Sequence, residues 1–154
     1  MLTANVNDLE LGEVRAENDP TVGVRFAFPI YAATGAAASA VVYFEVAPGG
    51  RLGRHTDSAE EVLLVLAGEA EAEVDGERGR LGPGTLALVP AMAPHDVRNV
   101  GDEPLRVVGF FAGPAVISHF SEPFVPGAEI TVVVHGPRGE EVLTAAPVGA
   151  PATA

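Results

Sequence analysis

Between His55 and Glu61 the chain sets one imidazole and three carboxylates into seven residues, H-T-D-S-A-E-E. His55 and Asp57 are two apart, so on an extended strand both side chains point to one face. Glu61 opens the run E-V-L-L-V-L, which reads as a strand covered on both faces. A second stretch, P-A-M-A-P-H-D-V-R-N over residues 90–99, adds His95. Two imidazoles and two carboxylates are a ligand set for a divalent metal. Without a cation, Asp57 and Glu61 in one interior would repel until one of them took a proton. His55 and Asp57 with His95 also form a two-His, one-carboxylate set, the arrangement of non-haem Fe(II) oxygenases, which leaves positions open for substrate and O2. Glu61 is then a fourth ligand or a base beside the ion. Such a site suits Fe(II), Mn(II), Ni(II) or Zn(II).

Other readings stand beside these. Asp57 could instead pair with Arg54 or Arg98, or face water. Glu60 has the opposite parity to Glu61 and reads as a solvated neighbour. His119 and His135 lie outside both stretches and read as ordinary strand or loop histidines. Tyr43, Leu63, Met92, Val97 and Phe110 are candidates to line a substrate pocket, and equally to be plain core.

Composition removes several chemistries. The net charge is -12, from 21 acids against 9 bases, which argues against nucleic acid or an anionic membrane as partner. All nine bases are Arg, so Schiff-base and P-loop lysines are excluded. With no Cys there is no thiol nucleophile, thiolate ligand or disulfide, which fits a reducing cytoplasm. The start, M-L-T-A-N-V-N-D-L-E, does not resemble a signal peptide, and no apolar run reaches membrane-spanning length.

The elements that must hold the site are strands. The 18 Gly and 13 Pro fall between short apolar runs, which predicts many strands joined by turns. L-E-L-G-E-V-R (9–15) alternates like an edge strand. Residues 22–31 read as a strand whose ladder ends at Pro29, and A-V-V-Y-F-E-V (40–46) as another. E-A-E-A-E-V puts Glu69, Glu71 and Glu73 on one face, a solvated outer side, and leads to a hairpin turn at Asp75-Gly76. Further strands are expected near 85–90, 95–100, 105–111 and 130–135. Residues 112–127, broken by Pro and Gly, are expected to wrap the outside. We expect an arm with a candidate edge strand over 1–20, a barrel over 21–136, and a flexible tail over 137–154. About ten short strands with closely spaced turns imply an all-β sandwich or barrel.

The two stretches resemble the paired motifs of the cupin superfamily. The family's first motif is Gly, five residues, His-x-His, three or four residues, Glu, six residues, Gly. Gly49, His55-Thr-Asp57, Glu61 and Gly68 fall in that register. The second is Gly, five residues, Pro-x-Gly, two residues, His, three residues, Asn. Gly84, Pro90-Ala-Met92, His95 and Asn99 fall in that register. The match covers about residues 40–111. Asp57 stands where the family has its second His, and Met92 where it has a Gly. If position 92 needs a positive φ, Met92 holds strain there. Asn99 looks like a structural turn residue.

The resemblance implies a jelly-roll barrel, the cupin-type double-stranded β-helix. It also implies metal contacts by His55, Glu61 and His95, with Asp57 where the missing imidazole would be, and a homodimer. The expected function is a metal-dependent enzyme on a small organic molecule, of Fe(II) or Mn(II) dioxygenase type, with Asp57 and Glu61 as candidate catalytic groups. The alternatives are a metal-dependent isomerase, cyclase or lyase, or a non-catalytic small-molecule binder.

Overall fold

The computed structural model describes residues 1–124, 128 and 130–145. Thirteen strands carry the described residues. They are β1 (Gly12–Arg15), β2 (Gly23–Ile30), β3 (Ala40–Val46), β4 (His55–Asp57), β5 (Glu61–Ala67), β6 (Ala70–Val74) and β7 (Glu77–Leu81). After these come β8 (Leu86–Val89), β9 (His95–Asn99), β10 (Leu105–Phe111), β11 (Val116–Phe120), β12 (Ile130–Gly136) and β13 (Gly139–Ala145). Two antiparallel sheets face one another, ordered β1-β2-β3-β10-β5-β8 and β13-β12-β11-β4-β9-β6-β7. This is the expected all-β jelly-roll barrel. No helix among the described residues is long and apolar enough to cross a membrane.

Inward faces follow strict alternation. On β3, Ala40, Val42, Phe44 and Val46 are buried on the core side, and β10 matches them in register with Phe111, Gly109, Val107 and Leu105. Leu63, Val65, Ala70, Ala72, Leu81 and Val97 complete a close-packed core. The Asp75-Gly76 turn has positive φ at both residues (49° and 85°), as a two-residue hairpin of right-handed twist requires. Glu71 and Glu73 lie on the outer side, paired with Arg78 and Arg54. Pro29 sits inside β2, where the ladder to β3 shifts register between Ala27 and Ile30.

The edge strand expected near residues 9–15 is β1, paired along its length with β2 of its own sheet. Two expectations are corrected. Residues 112–127 do not simply wrap the outside, because β11 pairs with β12 on one side and β4 on the other. Gly113, Pro114 and Pro123 frame the strand and do not interrupt it. Nor is the end of the chain a tail from residue 137. β13 pairs with β12 in seven-residue register, turning at Pro137-Arg138 between the paired Gly136 and Gly139. An alternating strand that follows a tight turn closes locally whatever motif precedes it. The remainder of the expected tail, 146–154, lies outside the described residues, as do 125–127 of the expected wrap.

Candidate metal centre and cavity

β4 and β9 are neighbours, and their pairing sets His55 directly opposite His95. Both imidazoles therefore project from the same face into the barrel, with ring centroids 4.1 Å apart. Asp57 leaves β4 on that face too. All three residues are buried, at 6%, 1% and 3% exposure for His55, His95 and Asp57.

The chain orients each ring from behind. Nδ1 of His55 donates to the Gly53 carbonyl at 2.7 Å, and Nδ1 of His95 donates to the Ala93 carbonyl at 2.9 Å. Each Nε2 is thereby turned inward. His55 also stacks on Phe120, with centroids 4.5 Å apart and a 17° tilt. Gly53 is held in turn: its N–H donates to Asp96 Oδ1, while Arg51 bridges Asp96, Asp19 and Glu122. Gly53 has a φ of 103°, and a Cβ there would stand 3.0 Å from Val22. Glycine is what lets the carbonyl reach His55 in this crowded left-handed turn.

The polar atoms converge. Oδ2 of Asp57 lies 3.5 Å from His55 Nε2 and 3.3 Å from His95 Nε2. The ligand atoms of His55, Asp57 and His95 all fall within 4.8 Å of one another. Donors each about 2.1 Å from one ion stand about 3.0–3.4 Å apart at octahedral or tetrahedral angles. Asp57 Oδ2 and His95 Nε2 are buried without a hydrogen-bond partner. They approach at ion-pair distance, but not in hydrogen-bond geometry. Two such atoms would each be costly to bury unsatisfied. The three side chains fit a divalent metal. The other oxygen of Asp57 accepts a 2.5 Å hydrogen bond from Ser118 Oγ on β11. Among the described residues no arginine is paired with Asp57: Arg54 is turned outward to Glu73, and Arg98 is exposed.

Glu61 stands beside this trio. Its Oε2 is 3.7 Å from His95 Nε2, and the residue is 3% exposed. Burial raises its pKa, and the nearby Asp57 carboxylate adds to the rise. Burial alone would also raise Asp57, but the imidazoles of His55 and His95 outweigh it and hold the group ionised. His95 is pushed up to about 10: burial opposes its charge, while Asp57 and Glu61 favour it more strongly. Two neighbouring carboxyls are thus driven apart, one anionic and one inclined to hold a proton.

The second motif's departures have visible consequences. Met92 adopts a φ of 63° and is 59% exposed, so the turn keeps the left-handed backbone without the glycine. Its N–H donates to the Asp57 carbonyl, tying this turn to β4. Asn99 is structural: Nδ2 donates to the Val46 and Glu103 carbonyls, and Oδ1 accepts from the Gly101 N–H.

A cavity of about 370 Å³ opens beside the trio. His55, Asp57 and Glu61 form part of its wall, and Phe26, Phe28, Phe44, Phe111, Phe120 and Phe124 give it an aromatic lining. None of the five expected pocket residues lines it. Tyr43 and Phe110 lie on the outer face of their strands, and Tyr43 Oη donates to Glu45. Met92 points to solvent. Leu63 and Val97 face inward, but in the packed core away from the opening. Strand parity decides the first two, and position along the barrel decides the others. His119 is an exposed residue of β11, in line with its reading as an ordinary strand histidine, but His135 is not ordinary. It is buried on the cavity wall, with Nε2 2.8 Å from Glu140 of β13. The hairpin Gly136-Pro-Arg-Gly139 was the available signal, because it sets residues 135 and 140 opposite each other.

Residues 42–111 match the family model described as "Cupin domain". No curated protein matches the chain in sequence. Similar solved structures include an oxalate decarboxylase from Lactobacillus farciminis in complex with formate. It is 25% identical with a TM-score of 0.60, over 70% of this chain and 32% of that one. The chain thus spans about a third of that relative's length. A cupin-2 domain protein from Rhodospirillum rubrum is 23% identical, with a TM-score of 0.58, over 67% of this chain and 68% of its own. The polyketide cyclase RemF from Streptomyces resistomycificus is 23% identical, with a TM-score of 0.56, over 72% and 78%. With both motifs in register inside that match and two facing antiparallel sheets around them, residues 42–111 are a cupin domain.

Proposed function

We propose that this protein is a divalent-metal-dependent enzyme of the dioxygenase type, acting on a small and largely apolar organic molecule. One observation carries the reading: three ligand atoms converge, two of them buried without partners, and two of their residues, His55 and Asp57, line an aromatic cavity. When bound, Fe(II) or Mn(II) would supply open coordination positions at which a substrate oxygen and O2 can meet. The chain's own residues do the rest. His55 and His95 keep Nε2 inward through their carbonyl contacts. Ser118 fixes one oxygen of Asp57 and leaves the other facing the imidazoles. Glu61 holds a proton, or accepts one, next to His95. The phenylalanines exclude water and orient the substrate.

The wall also selects charge. It carries Asp57, Glu61 and Glu140 and, among the described residues, no arginine. A dianion with one charge at the metal would set its other beside these carboxylates with no side-chain counter-charge. A phenol or enol, neutral or singly ionised, suits this surface better. Glu61 favours a second reading within the same frame. A buried carboxyl with a raised pKa is the proton carrier that a metal-assisted isomerase, cyclase or lyase needs.

Two further properties belong to this reading. The outer face of the six-stranded sheet presents the in-register row Phe110, Val62 and Leu88, with Leu86 next to it. Leu86, Leu88 and Phe110 are 63%, 57% and 45% exposed, and β8 is an edge strand. A homodimer burying this face removes both liabilities. The absence of Cys fits a cytoplasmic setting.

The test is metal loading followed by turnover. Protein reconstituted anaerobically with Fe(II) or Mn(II) should carry about one ion per chain. His55→Ala and His95→Ala should each lose it. Oxygen uptake is then measured against catechols, enols and diols. A wild-type protein that stays nearly metal-free after reconstitution defeats the proposal; metal without oxygen uptake, but with isomerised or cleaved product, selects the second reading.

A further inference from the structure

His135 and Glu140 are not needed to hold a metal, yet they are built into the cavity wall. The His135 ring lies against Phe28, with centroids 3.6 Å apart and a 12° tilt, and Phe28 stacks in turn on Phe111. Phe26 and Tyr31 meet the ring edge-on. This aromatic cluster fixes its orientation. Nε2 is taken by Glu140, whose side chain remains about half exposed at 47%. A carboxylate can only accept, so Nε2 carries the hydrogen and Nδ1 carries a lone pair. Burial lowers the His135 pKa against the pull of Glu140, which keeps the ring neutral. Nδ1 is buried and has no hydrogen-bond partner.

A buried acceptor held on a cavity wall without a donor points to a ligand that brings one. Backbone donors of β12 itself are engaged in its two ladders, with β11 and β13. We propose that His135 Nδ1 is a substrate-recognition acceptor: it receives the hydroxyl hydrogen of a planar aromatic ligand packed among the phenylalanines. Glu140 is the positioning residue that selects the tautomer. The ligand class is a phenol or enol with an apolar ring body. A cavity of about 150 Å³ already admits benzene, so 370 Å³ has room for fused rings.

The inference deepens the functional reading above, but its test does not require the metal. Chelator-treated protein is titrated with 2-naphthol, 2-methoxynaphthalene and naphthalene. Leaving a buried acceptor unmet weakens binding about five- to hundredfold, so 2-naphthol should bind tighter than the other two by a factor in that range. His135→Phe keeps a ring against Phe28 and removes the nitrogen, and it should abolish the preference while still binding naphthalene. Nitrogen-15 spectra should show an unprotonated Nδ1 whose resonance moves when 2-naphthol, but not naphthalene, is added. Glu140→Leu should mix the tautomers and shrink the preference. Equal binding of the three probes, no binding of any, a preference that survives His135→Phe, or a protonated Nδ1 would each overturn the proposal. Failure of the metal reading would appear separately, as absent ion loading with the hydroxyl preference intact.

Discussion

The carboxyl group of Glu61 occupies the space that a side chain on Gly109 would need. They are diagonal neighbours on β5 and β10, where Gly109 pairs with Leu63 and Glu61 with Phe111, and a Cβ built on Gly109 would overlap Oε1 of Glu61 and crowd Cγ1 of Val42. The missing side chain on one strand is thus what allows a buried carboxyl on the next. Gly109→Ala should destabilise the fold by about 1–3 kcal/mol through overpacking. It should also push Glu61 toward His95 and alter metal loading. Urea unfolding and ion content measure the two effects. Gly12→Ala, where a Cβ meets nothing closer than 3.9 Å, should be close to neutral.

Ser118 touches Asp57 but not the imidazoles. Ser118→Ala should leave the fold intact and weaken metal binding about 10- to 100-fold, as loss of a ligand's supporting hydrogen bond commonly does. Competition with a chromophoric chelator reads this directly. Unchanged affinity would mean that Asp57 is held by its backbone alone.

Met92 occupies a left-handed position with an exposed side chain, so its replacement removes strain and little packing. Left-handed backbone costs a residue with a Cβ about 1–2 kcal/mol. Met92→Gly gives back part of that through unfolded-state entropy. The variant should be more stable by up to about 1 kcal/mol, seen as a higher urea midpoint at an unchanged slope.

Asp19 accepts from Thr21 and Arg51, which draw its pKa from the ordinary 3.8 down to about 2. A lowered carboxylate adds stability above its unfolded pKa and loses it as pH falls through the folded one. The Arg51 cluster should therefore weaken between about pH 4 and pH 2. Because Asp19 is partly exposed, salt should blunt the effect. Asp19→Asn should be less stable than wild type at neutral pH, with a difference that closes across this window. A parallel shift of both melting profiles would rule Asp19 out as the source.

Leu88→Glu places a charge in the middle of the exposed row on the six-stranded sheet. Sedimentation should then show a monomer where the parent chain sediments as a dimer. A parent chain that is already monomeric at high concentration removes that interface.

The convergence of His55, Asp57 and His95 was legible because spacing within the two motifs encodes it. The two-residue spacing of His55 and Asp57 fixes a common face, and the motif register supplied His95 as their neighbour. Glu61 was legible for the same reason. The cavity was not. Tyr43 and Phe110 were one residue out of parity with the lumen-facing Val42, Phe44 and Phe111. Composition cannot choose between faces that are both apolar. Ser118, His135 and Glu140 were missed because they approach the site only through the pairing of β11, β12 and β13. That pairing is long-range, and no spacing within the motifs encodes it. The Met92 departure was read correctly as a conformational question, and its φ of 63° answers it.

The hairpin that ends the described chain has an evolutionary corollary. His55, Asp57 and His95 come from strands at the centre of their sheet, whereas Glu140 and Val142 reach the cavity from its outermost strand. A rim element can be exchanged, lengthened or trimmed while the buried polar cluster at the middle is left alone. Descendants of this scaffold could therefore acquire new substrates by rewriting a few terminal positions, with their chemistry inherited unaltered.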